Sequence, residues 1–296
     1  MITKEELKDF AASLGLSATG VCRADRDTEL LVQLKRRRSV ASFSAFEEKD
    51  LALRTDPDLE LSGAKSVFVC LFPYHRSDLP AGNLSDYARI PDYHRVAKTY
   101  LDKIGAFIKE REPDARFKIL CDNHSLTDRR FAYLAGLGFY GRNNLLIHPV
   151  FGSYFFIGSL LTDIPLEPDN PMETTCAGCG ACLKACPGKA LGEDFFYDYT
   201  KCISYITQAK EISEVQKDLL AGQDFVYGCD ICQSVCPHNK GVPDTTIPEF
   251  YEDSLSSLSA EELAALSGRA FKKKYENFPF AWCKKQSILK NFTEKR

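Results

Sequence analysis

Two cysteine runs constrain this chain more than any other feature of it. Cys176, Cys179, Cys182 and Cys186-Pro187 read C-x2-C-x2-C-x3-C-P, and Cys229, Cys232 and Cys236-Pro237 read C-x2-C-x3-C-P. The second run is one cysteine short of the first, and Cys202, between them, supplies the missing thiolate. Such spacing wraps soft thiolates and backbone amides around an iron–sulfur cubane, and a run of this kind gives its fourth cysteine to the neighbouring cluster. One [4Fe–4S] cluster is therefore expected to take Cys176, Cys179, Cys182 and Cys236. The other takes Cys186, Cys202, Cys229 and Cys232. Zinc ribbons use paired C-x2-C knuckles, and the longer run is foreign to them.

The rest of the chain agrees with a metal role for these thiols. Met1 to Phe10 is charged from Lys4 onward and holds no apolar signal region. The longest apolar stretch, near Ser153 to Leu161, is too short to span a membrane. A cytoplasmic protein without membrane contact is expected, and there clustered cysteines bind metal rather than form disulfides. Of the twelve cysteines, Cys22, Cys70, Cys121 and Cys283 remain without a role. Cys70 and Cys121 sit in strand patterns and read as small buried hydrophobes. The net charge of −3 argues against blanket attraction to nucleic acid. It leaves room for a local patch: residues 241–268 carry six acids and no Lys or Arg, whereas Arg269 to Arg296 carry nine Lys/Arg and two Glu. That tail reads either as the solvated face of an amphipathic helix or as a phosphate-contacting surface.

The pattern before the cysteines alternates strands and helices. Thr3 and Glu6 form a capping-box pair ahead of Leu7, Phe10, Ala11 and Leu14 at helical spacing. Lys65 to Phe72 and Arg116 to Cys121 read as strands, Arg89 to Arg111 and Leu126 to Ala135 as helices. Asn144 to His148 and Ser153 to Thr162 read as a hairpin. The expected fold class is a mixed α/β (α+β) domain over residues 1–165, then a bacterial-ferredoxin-like double-cluster domain over 166–245, then a basic helical extension over 246–296. Two clusters form a wire for single electrons, and the N-terminal domain is expected to receive them.

Gly136, Gly138 and Gly141 match G-x-G-x-x-G, but with a helix before and a strand after, the reverse of the dinucleotide-binding order. These glycines pass the backbone close to something large and flat, or make a turn. Two polar clusters interrupt apolar context: Asp86-Tyr-Ala-Arg89 with Asp92-Tyr-His94, and Asp122-Asn-His124 at a strand end. Asp122 reads equally as a proton-delivering acid or as a helix N-cap.

These segments resemble the epoxyqueuosine reductases. Asp122, followed by Ala135-Gly-Leu-Gly-Phe-Tyr-Gly-Arg-Asn143, resembles that family's D-[ST]-x-P…A-G-L-G-W-I-G-K-N. Tyr87-Ala88 with Asp92-Tyr93-His94 resembles R-Y-A…D-Y-H, Cys202-Ile-Ser-Tyr205 matches C-I-S-Y, and Tyr227 to Cys232 matches the second cluster motif. The resemblance runs from about residue 5 to Asn291. It implies a cobalamin-dependent reductase that converts epoxyqueuosine to queuosine at the wobble position of tRNA, with electrons relayed through two [4Fe–4S] clusters. It implies Asp122 as proton donor, and Arg54, Tyr93, His94, Asp122, Arg142, Asn143 and Ser204 around the cobalamin. It also implies the tRNA anticodon stem-loop as substrate partner, an external donor such as a flavodoxin or ferredoxin, and a monomer. Departures are Ser125 for the motif's proline, Asp86 for its arginine, and Ala209 for the glutamate of C-I-S-Y-L-T-I-E. The sequence stops where a C-terminal helical-repeat segment of full-length members begins, so a short form is expected. The alternatives are a cobalamin and iron–sulfur reductase of another substrate, or a non-catalytic two-cluster carrier.

Overall fold

A computed structural model describes residues 2–39 and 43–292. Lys295 and Arg296 of the basic tail lie outside the described residues.

The first half is organised by one strand. β1 (Thr19–Arg23), β2 (Ser66–Pro73), β3 (Phe117–Leu120) and β6 (Phe155–Thr162) form an antiparallel sheet in the order β1-β2-β6-β3. Every residue of β2 is buried. Successive strand side chains point to opposite faces, and β2 feeds two cores at once. Phe68, Cys70 and Phe72 pack with α1 (Lys4–Ser13) and α4 (Tyr93–Arg111), while Val67, Val69 and Leu71 pack with α5 (Asp128–Leu134). A sheet covered on both faces needs a continuous apolar run rather than alternation, and Ser66 to Phe72 supplies it. α1 starts where expected, with Thr3 and Glu6 closing the capping box. Cys70 is fully buried, and burial pushes its thiol far up.

The expected hairpin of Asn144–His148 with Ser153–Thr162 does not form. β5 (Leu146–Ile147) pairs instead with β4 (Phe139–Tyr140), and β6 runs between β2 and β3. Only the single bridge His148–Gly152 joins the two segments. An eight-residue apolar strand gains more from lying between two buried partners than beside a two-residue edge.

After β6 the helices are short: α6 (Ala181–Ala185), α7 (Ile203–Gln208), α8 (Glu214–Ala221) and α9 (Ile231–Ser234). The chain then returns to the first half. Thr245 donates to the carbonyls of His75 and Pro73, and Ile247 and Phe250 enter the core of α1 and α4. α10 (Ala260–Ala265), α11 (Gly268–Tyr275) and α12 (Lys285–Leu289) enclose a further core with Leu84, Ala88, Val226 and Tyr227. α11 is amphipathic: Phe271 and Tyr275 are buried, and Lys272 and Lys273 face outward. Lys285 and Lys290 are tied to backbone carbonyls. Cys283 is buried within this core.

Asn291 fastens the last turn. It is 4% exposed, and its Nδ2 donates to the carbonyls of Thr207 at 2.7 Å and Val226 at 2.9 Å. Asn291→Ala leaves two buried acceptors unmet and is expected to cost about 1–3 kcal/mol. Thermal denaturation of the cluster-loaded protein checks this, and an unchanged midpoint would contradict it.

Candidate functional site

The eight thiols sort into two sets. Cys182 has Cys236 and Cys176 as its electrostatic neighbours, and Cys236 has Cys176 and Cys179. Cys232 has Cys229, Cys202 and Cys186, and Cys229 has Cys202 and Cys186. Each of these neighbours belongs to the same expected foursome. Burial, then the neighbouring thiols, pushes Cys229 up to about 12. Thiols gathered in this way suit a metal that takes them as thiolates. The first set, with Gly141, Arg142, Asn143 and His238, lines a cavity. Cys179 is exposed there, whereas Cys182 and Cys236 are buried.

A second cavity, of about 330 Å³, opens in the first half of the chain. Phe155, Phe156 and Ile157 of β6 give it an apolar wall, and Arg54, Asp122, Thr127 and Arg129 give it a polar one. Asp122 stands two residues past β3 with φ +60°, a left-handed conformation that a short polar side chain tolerates. Its Oδ2 accepts from Tyr93 Oη at 2.7 Å and lies 3.3 Å from His94 Nε2. Asp122 is therefore no helix cap; Thr127 holds the N-cap position of α5. The rule that chemistry sits at strand C-termini belongs to parallel sheets. In this antiparallel sheet the turn after β3 places the carboxylate instead.

α4 delivers both partners from its first turn. Asp92 caps the helix through His94 N and also bonds His94 Nδ1 at 2.7 Å. Tyr93 stacks on Phe156, with ring centroids 4.0 Å apart and planes at 5°. Burial opposes charge on His94, but hydrogen bonds to Asp122 and Asp92 outweigh it and lift the imidazole to about 9. The hydrogen bond from His94 holds Asp122 below the usual carboxylate range, against desolvation and with help from Tyr93. Burial, then Asp122, pushes the Tyr93 hydroxyl far up, so it stays a neutral donor. At neutral pH the shared proton rests on His94.

Arg54 lines this second cavity, bonded to Glu47 Oε1 at 3.2 Å and Thr127 Oγ1 at 3.4 Å. Arg54 Nε and His124 Nδ1 are buried without a partner. The structure thus brings Arg54, Tyr93, His94 and Asp122 together. Arg142 and Asn143 lie at the other cavity, with the first set of thiols, and Arg142 also reaches the Gly178 carbonyl at 3.5 Å. Ser204 opens α7 beside Cys202 and lines neither of these two cavities.

The second set of thiols is tied to the Asp122 cavity through two contacts. Tyr197 hydrogen-bonds Cys202 and has the cavity's Arg129 as an electrostatic neighbour. Phe46, also on the cavity wall, meets Tyr205 of α7 edge-on at 5.5 Å. Sequence reading missed Arg129, Tyr197 and Phe46, which carry no motif. It also grouped Asp86 and Arg89 with the site, but they form a clasp. Asp86 N donates to Asp230 Oδ2 at 2.6 Å, and Arg89 pairs with Asp86 at 3.1 Å and reaches the Leu255 carbonyl.

Comparison with known proteins bears on both halves. Residues 175–239 match a model described as a 4Fe-4S double cluster binding domain. Residues 54–123 match one described as "Epoxyqueuosine reductase QueG, DUF1730". An epoxyqueuosine reductase of Staphylococcus aureus is 34% identical over 297 residues, covering 97% of this chain and 78% of its own. A crystal structure of an epoxyqueuosine reductase with a tRNA-Tyr epoxyqueuosine-modified stem loop superposes at TM-score 0.90, with 34% identity, over 97% of this chain and 79% of that one. A Bacillus subtilis epoxyqueuosine reductase whose catalytic aspartate loop is swung out of the active site superposes at 0.89, with 34% identity over 97% and 79%.

Replacing Cys202 by serine is expected to halve the bound iron, because only one foursome loses a ligand. Iron analysis of anaerobically reconstituted protein reads this directly. An undiminished iron content would contradict the ligand sets.

Proposed function

The chain belongs to the epoxyqueuosine reductase family and reduces the epoxide of epoxyqueuosine to queuosine in tRNA, and we propose that Asp122, His94 and Tyr93 deliver the proton this requires. The observation that carries the proposal is the Asp122 carboxylate, hydrogen-bonded by Tyr93 and His94 on the wall of a cavity. The reaction takes two electrons and two protons, forms the alkene and releases the oxygen as water. Cobalamin, when bound, supplies a low-valent cobalt that reduces the epoxide carbon. The second cavity suits it: an apolar wall faces a polar one, and Arg54 Nε lacks an acceptor while His124 Nδ1, opposite the Nε2–Asp128 bond, lacks a donor, both of which a corrinoid's phosphate and amides would supply.

The chain's own residues manage charge and protons. Cys176, Cys179, Cys182 and Cys236 would hold a cluster that supplies single electrons, and exposed Cys179 is where an external donor such as a flavodoxin or ferredoxin would reach it. Cys186, Cys202, Cys229 and Cys232 would hold the second cluster, and Tyr197, between Cys202 and the cavity's Arg129, links that set to the cavity. His94 passes its Nε2 proton to Asp122 Oδ2, and Asp122 protonates the departing oxygen. Asp92 keeps the imidazole oriented through Nδ1, and Tyr93 holds the carboxylate in place. Both cavities are built within one chain, in keeping with a monomer. The substrate base is splayed from the anticodon loop into the cavity, and the outward-facing Lys272 and Lys273 of α11 are available for phosphates. The site of action is the cytoplasm; no helix of the described residues is long and apolar enough to cross a membrane.

In cells that encode no other such reductase, loss of this gene is expected to leave epoxyqueuosine in tRNA; normal queuosine there would refute the assignment. Asp122→Asn should lower turnover by about 10²–10⁴ while iron and cobalamin binding persist. Undiminished turnover would remove Asp122 from proton delivery. Because His94 is lifted to about 9, its proton is present below that pH and lost above it. kcat/KM is therefore expected to fall above about pH 9. Asp92→Asn removes one of the bonds that raise His94 and should bring the fall to lower pH. A basic limb that Asp92→Asn leaves in place would exclude His94 from the path.

A further inference from the structure

The G-x-G-x-x-G turn takes no part in the proton path, yet it is built with care. Asn143, just beyond it, is 4% exposed. Its Oδ1 accepts the Leu145 N–H at 3.2 Å, which fixes the orientation of the amide. Its Nδ2 is buried and has no partner. A Cβ on Gly141 would stand 2.4 Å from Asn143 Oδ1, so only glycine lets the amide fold back across the turn. Asn144 completes the turn with φ +63°. An unmet buried N–H costs about 1–3 kcal/mol, and a chain seldom retains one without a use.

Both Gly141 and Asn143 line the cavity of Cys176, Cys179, Cys182 and Cys236. His238 lines it too, two residues beyond Cys236. Its ring meets Phe139 edge-on at 5.2 Å, and its Nε2 is buried without a partner. Two unmatched side-chain nitrogens thus border the space that four thiolates reserve for an iron–sulfur cubane, whose sulfurs are acceptors.

We propose that Asn143 Nδ2 and His238 Nε2 donate N–H···S hydrogen bonds to the first cluster and raise its reduction potential. The inference rests on assigning those four cysteines to one cluster. Hydrogen bonds to cluster sulfurs stabilise the extra negative charge of the reduced state and are a main determinant of cluster potential. The turn that mimics a nucleotide-binding motif is a cradle for the electron-entry cluster. Asn143 and His238 are positioning residues, since neither touches the substrate.

The test is an EPR-monitored redox titration of the cluster-loaded protein. Asn143→Leu and His238→Phe should each lower the potential of the same cluster and leave the other unchanged. The expected change is about tenfold in the reduction equilibrium, or about 59 mV for one electron. Asn143→Asp keeps the acceptor for Leu145 and should lower the same potential, which separates loss of the donor from loss of the turn. In the wild-type protein, labelling asparagine side-chain nitrogen with ¹⁵N should give a hyperfine coupling to one reduced cluster. Full iron content with both potentials unmoved, or both moved equally, overturns the inference, as does a missing ¹⁵N coupling. A protein that cannot hold two clusters overturns the ligand assignment itself, and this inference with it.

Discussion

The proposed ligand sets of the double-cluster region, residues 175–239, turn on an exchange of two thiols. In these proposed sets Cys186 leaves its own run to join Cys202, Cys229 and Cys232, and Cys236 crosses back to join Cys176, Cys179 and Cys182. The elements between them are four to eight residues long, too short to bury a core alone. Metal binding at such sites is folding free energy. Clusters held by these thiols would form the core of that region, and the exchange would tie its two ends together and set the two clusters side by side as an electron path.

The first half needs no such help. β2 buries both faces, and α4 is docked on the sheet by Val96, Tyr100, Leu101 and Ile104. That rigidity reaches the site through one turn of helix. Asp92 caps α4, Tyr93 lies flat on Phe156, and His94 spans Asp92 and Asp122. Asp122 itself sits on a loop in a left-handed conformation, held by side chains from a helix rather than by its own segment. A site made this way sets donors fixed by a helix against an acceptor carried on a loop. The two halves are joined at the Asp86–Asp230 clasp and by Thr245 at the edge of β2.

The expected ligand sets follow from spacing along the chain, which decides which thiols can reach one cubane. The burial of Ser66 to Phe72 was legible because an unbroken apolar run has few other uses. The partner of β6 was not, because pairing across about ninety residues is decided by which strand offers a buried face, and Leu160 and Leu161 face the two cores of β2. Asp122 was legible as a chemical group but not as an acceptor of the His94 proton. Its partners are 28 and 29 residues away, and only the fold sets the distance. Arg142 and Asn143 were read with the cobalamin residues, and in the structure they lie beside the first thiol set. Tyr197, Arg129 and Phe46 bridge the halves through packing that leaves no pattern in one segment.

The central claim is that electrons carried by the interleaved clusters open an epoxide at the Asp122 cavity. The most direct measurement is turnover of epoxyqueuosine-containing tRNA by anaerobically reconstituted protein with cobalamin and a chemical reductant, read by nucleoside mass spectrometry. The account predicts queuosine in the full protein, and its loss both without cobalamin and in Cys202→Ser. Formation of queuosine at the full rate without cobalamin, or none from protein carrying both clusters and cobalamin, would contradict it.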